Sequence, residues 1–139
     1  MDTEGTFAPE SWADARNRYE ALGPTAQTVV REVTKAMEFD RQEYDDRVTS
    51  EVVETARQAT FAETLAVTVG SAEEFDAWRG DFDGDVHVVG SDNVERVAWH
   101  AGPDDAAVAA TFQNEPEAAV ATLRRVAFNC IYREELCDG

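Results

Sequence analysis

His87 and His100 are the only histidines in this 139-residue chain, and both fall in short stretches of strand-like apolar patterning. Imidazoles on adjacent strands can share a metal ion or pass a proton, so their register decides what they can do. If residues 86–89 and 94–100 pair as a hairpin with Val89 opposite Val94, then His87 faces Arg96. One sheet face then carries His87, Val89, Val94, Arg96, Ala98 and His100, and the other carries Val86, Val88, Val97 and Trp99 as core. In that register His100 lies four residues along the strand from the position opposite His87, roughly 13 Å away at about 3.3 Å per residue. One metal ion cannot span that distance. The chemistry left to the face is anion binding by His87, Arg96 and His100, with the Arg96 guanidinium as the strongest donor for a carboxylate or phosphate.

Other constellations are weaker. Asp81, Asp83 and Asp85 around Gly84 resemble the start of a calcium loop. That loop requires a glycine after the third acid and a glutamate at the twelfth position, where this chain has Val86 and Asp92. Cys130 and Cys137 sit seven residues apart on one helical segment, about 10.5 Å along its axis, too far for a disulfide. They are expected as reduced thiols, Cys130 on the buried stripe, with no histidine partner for nucleophilic catalysis. No serine occupies a nucleophile elbow and no lysine a phosphate loop. The residues specify no metal site, no cofactor and no catalytic group.

The elements that must position these residues change character near residue 64. Before it the apolar period is helical. Ser11 caps a helix carrying Trp12, Ala15, Tyr19 and Leu22, which Gly23 and Pro24 end. A second helix over 25–38 bears the most regular stripe of this half, including Ala26, Val29, Val30, Val33 and Met37. Asp40 caps a short helix, and Thr49 or Ser50 caps another that runs through Val52, Ala56 and Phe61. After residue 64 strands are expected over 65–69, 86–89, 94–100 and 108–112. A helix with a Ser71–Glu74 capping box follows the first strand, and a long helix opens at Pro116. The expected architecture is α+β in a single domain over 1–139. Helices over about 10–62 precede a small antiparallel sheet, ordered strand, helix, strand, strand, strand, and a C-terminal helix.

Composition sets the physical state. Acidic residues number 29 against 12 basic ones, for a formal net charge of −17, and Lys35 is the only lysine. Val, Leu, Ile and Phe make up only about a fifth of the chain, a low apolar content beside so high a charge. A dispersed acidic surface repels itself in dilute buffer, and in molar salt, where the screening length is about 3 Å, the repulsion largely disappears. This is the pattern of a protein adapted to a salt-rich cytoplasm. No basic, apolar leader or membrane-length apolar run is present in the sequence. The same acidity argues against nucleic acid as a partner. A helix-turn-helix around Asp40 would present Glu43, Asp45, Asp46, Glu51 and Glu54 to phosphates.

The runs Gly23, Pro24, Thr25, Ala26, Gln27, then Phe39, Asp40, Glu43, Tyr44, and later Ala121, Thr122, Leu123, Arg124, Arg125 resemble a family of short, uncharacterised haloarchaeal proteins over nearly the whole chain. The resemblance implies salt adaptation and brings no activity with it. The functional expectation is therefore a non-catalytic module that contacts another protein or a second copy of itself; the alternative is an anion-binding domain or enzyme that uses the His87, Arg96 and His100 face. Its surface is sought at the exposed end of the last helix, at Tyr132, Arg133 and Leu136.

Overall fold

The structure, a computed structural model, describes residues 1–91 and 94–138. Strand β1 (Asp2–Glu4) is followed by three helices, α1 (Trp12–Ala36), α2 (Arg41–Arg47) and α3 (Ser50–Thr64). Then come β2 (Val67–Ser71), α4 (Ala72–Asp81), β3 (Asp85–Val89), β4 (Arg96–Ala101), β5 (Ala106–Phe112) and α5 (Pro116–Ala127), which continues into wider π-helical turns up to Asp138. The class is α+β, as the change of period near residue 64 requires.

Helix α1 does not end at Gly23 and Pro24 but runs through both for 25 residues. Pro24 has no N–H for the carbonyl four residues back, and an interior proline costs a helix about 3 kcal/mol. Helix α3, packed alongside, offsets part of that cost. Arg57 Nε donates to the Tyr19 carbonyl at 2.7 Å, and its guanidinium lies 4.1 Å from the centre of the Tyr19 ring. The other helix starts follow their caps: Ser11, Asp40, Thr49 and Ser71 each accept from the backbone N–H three residues on.

The sheet is mixed, with strand order β1-β2-β4-β5-β3. The expected hairpin between the two histidine strands does not form, because β5 lies between them, antiparallel to β4 and parallel to β3. The expected turn between those strands, 90–93, lies in part outside the described residues. The side chains explain the insertion. Ala107, Val108, Ala109 and Ala110 are all buried, a run suited to a central strand covered on both faces, whereas β3 is mostly exposed and suits an edge. Over one face α5 packs on the sheet, and α1 and α3, paired with each other and with α5, share one core with Val67, Val69, Ala98, Val108 and Ala110. Over the other, α4 lays Phe75 and Trp78 against Val97, Trp99 and Ala109. β1, which the sequence pattern did not reveal, adds an exposed edge beside β2.

The parallel pairing is testable at Gly84. A β-carbon there would overlap the Asp105 carbonyl oxygen at the start of β5, a contact absent from a β3–β4 hairpin. Gly84→Ala is expected to destabilise the fold by about 1–3 kcal/mol, read from denaturant midpoints in molar KCl.

Candidate functional site

The residues expected to bind an anion do not converge. His87 and His100 share a sheet face and one cross-strand row, but the partner of each is Val108 on the intervening β5. Two strand spacings, roughly 9.5 Å, separate them. Arg96 pairs with Ser71 and Phe112 and lies over the Phe112 ring, at the far end of β4 from His100. His87 is exposed on the edge strand.

His100 is instead a buried structural bond. Nδ1 lies 2.7 Å from the Ala66 carbonyl, which can only accept, so Nδ1 carries the proton. Nε2 accepts from the Tyr132 hydroxyl at 2.7 Å. Burial holds the imidazole pKa below its usual value, the Arg124 charge acts the same way, and the bond to Ala66 opposes them. Burial likewise raises the Tyr132 phenol.

Tyr132 is thus not at an exposed helix end. The π-helical turn over Phe128–Tyr132 shifts the buried stripe by about one residue, so that Phe128, Ile131 and Tyr132 face the core while Cys130 is exposed. Of the three residues expected to form an interaction surface, only Arg133 is exposed, and Leu136 packs half-buried against the core.

Two other clefts are lined by polar groups. One, of about 590 Å³, lies between α1, α3 and the C-terminal turns. In it the Tyr19 hydroxyl donates to the Glu54 carboxylate, Cys137 Sγ sits 3.4 Å from that hydroxyl, and Arg16 pairs with Glu135 at 2.9 Å. Tyr19 keeps its proton, its pKa raised by burial and by the bonds to Cys137 and Glu54. These contacts brace the C-terminal segment against α1 and α3. The second cleft, of about 560 Å³, includes His87 and Cys130, and its Asp104 is bonded to the Trp12 indole at 2.6 Å. Among the described residues no group of three His, Cys, Asp or Glu side chains is placed to hold a metal ion.

The site that the fold leaves open is apolar. Beyond Leu22, α1 runs past the sheet, and its remaining buried residues, Ala26, Val30 and Thr34, pack in the α1–α3 pair. Two paired helices cannot cover both of their apolar stripes. Val29, Val33 and Met37 of α1 and Val52 of α3 remain 43, 52, 59 and 41 % exposed. They line one groove of about 430 Å³, closed at its end by Phe39 and Val48, which flank α2. Four of the seven large apolar side chains exposed among the described residues are in this groove. The sequence signal was the regular stripe over 25–38; what it could not show was that no element covers it.

Fold and groove together define a small α+β protein with an unpaired helical face. The chain belongs to a family of unknown function (DUF5809), which matches residues 6–133. No curated protein and no solved structure matches it. Among the described residues no helix is long and apolar enough to cross a membrane.

Two measurements test the buried pair. Tyr132→Phe leaves His100 Nε2 without its donor and is expected to cost roughly 1–3 kcal/mol. Because the folded state resists protonating His100, the unfolded chain binds more protons below about pH 6.5, and stability must fall as pH drops through that value. Denaturant titrations between pH 7.5 and 5 should show this slope in the natural chain and a shallower one in His100→Gln.

Proposed function

We propose that this protein is a non-catalytic interaction module of a salt-rich cytoplasm, and that its docking face is the α1–α2–α3 groove, which takes an amphipathic helix from another protein. The observation that carries this is the clustering of Val29, Val33, Met37 and Val52 in one concave apolar surface. Monomeric proteins rarely leave such a patch without use, and a helix laid into a groove buries side chains at i, i+3, i+4 and i+7. A partner protein suits the groove better than a second copy, because a symmetric pair would bring two copies of the groove's one charged lining residue, Arg47, into the same interface.

The test uses a synthetic amphipathic helix with leucines at those spacings, titrated in molar KCl while the methyl groups of Val29, Val33 and Met37 are followed by NMR. Saturable shifts at these methyls, lost in Val33→Glu, support the proposal. Absence of saturable binding overturns it. So does a dimer in light scattering that Val33→Glu dissociates, since the occupant would then be the chain itself. Val33 is half exposed, so its substitution is expected to change stability by less than about 0.5 kcal/mol.

The salt-rich setting has its own test. With −17 charges and a core of alanine and valine, repulsion and modest burial act together, so far-UV circular dichroism should show progressive unfolding as KCl is withdrawn from molar to millimolar. A fold that persists in dilute buffer would remove that part of the proposal.

A further inference from the structure

Resting on the groove as a docking face, we infer that its partner helix is acidic: apolar residues along one stripe, flanked on both sides by Asp or Glu. The lining carries the argument. Acids outnumber bases 29 to 12 in this chain, yet the only charged residue lining the groove is Arg47. Its guanidinium lies 5.5 Å from the Phe39 ring at the groove's closed end.

The surface continues in both directions into two depressions whose linings hold more basic than acidic residues. Over α3, Thr55 and Ala59 belong both to the groove and to a furrow of about 240 Å³ against α5, where the charged residues are Arg125 and Arg133. On the other side Thr34 and Phe39 join the groove to a shallow depression holding Arg31, Lys35 and Arg41. The one acid there, Asp40, is engaged as the cap of α2, accepting from the Glu43 N–H at 2.8 Å. Six cations therefore line or flank one apolar trough on an otherwise acidic protein.

Among the described residues none of the six has a carboxylate within 4.0 Å, a state they share with Arg18, Arg79 and Arg96, whereas Arg16, Arg57 and Arg124 are paired. A basic rim around an apolar floor offers donors suited to carboxylates. A basic helix would meet like charge on both flanks, and such juxtaposition selects against wrong partners. Molar salt screens charges beyond about 3 Å, so the rim acts at contact distance and discriminates without steering from afar.

The experiment compares two synthetic helices with identical leucine stripes in 1 M KCl, one flanked by glutamates and one by lysines, with binding read by fluorescence anisotropy. The glutamate helix should bind on the order of fivefold tighter or more, the size that several exposed ion pairs give. The preference should narrow at 3 M KCl while apolar binding persists. Arg47→Glu together with Arg133→Glu, both at solvent-accessible positions, should abolish or reverse it. Equal affinities, or tighter binding of the lysine helix, overturn the acidic partner and leave the docking face standing. Failure of both helices to bind overturns the docking face itself.

Discussion

Helix α3 is the element that ties α1 to the C-terminal turns, and Phe61 is the residue through which it holds them. Its ring meets Phe7, Tyr19, Phe128 and Tyr132 edge-on at centroid distances of 5.1–5.8 Å. The segment after β1, helix α1 and the C-terminal turns thus converge on one buried aromatic ring. Each such pair adds about 0.5–1.5 kcal/mol beyond the area it buries, which matters where much of the remaining core is alanine and valine. Tyr132 then passes the constraint to the sheet through His100, which is bonded in turn to the Ala66 carbonyl just before β2. A polar pair buried this deeply is tolerable only because both of its members are satisfied.

The same arrangement explains why the groove exists. Phe61 lies in the C-terminal half of α3, so the tightly packed end of the α1–α3 pair is the end against the sheet and α5. Toward the other end, where α1 has outrun the sheet, only α3 and the short α2 remain to cover its stripe. α2 buries none of its own residues and is too small to close the face. The open apolar surface is thus a geometric consequence of a 25-residue helix continuing through Pro24.

Much of the local structure was legible in the residues. Ser11, Asp40, Ser71 and Pro116 mark helix starts because a cap or a missing N–H acts within one turn. The Val29–Val33–Met37 stripe was legible too. Less accessible were the π-helical turn that draws Tyr132 inward and pushes Cys130 out, and the place of β5 between β3 and β4. An alanine-rich segment gives little alternation to read, and a hairpin is the simplest pairing for two nearby strands. That choice of neighbour moved the candidate site. It placed Val108 between the histidines, sent Arg96 to the far end of β4, and left the open apolar surface on the helices.

The sequence by itself determined the α+β class, the helix starts and the acidic surface, since each follows from local spacing or from simple counting of charge. Tertiary structure decided which strands are neighbours, which aromatic residues become the hub, and which apolar stripe remains uncovered. Those outcomes depend on competition among distant segments for the same buried area. The residues of the groove could be seen in the sequence as a stripe; that no described element covers them, and that the one charge in their lining is Arg47, became visible only when α1, α2 and α3 were placed side by side.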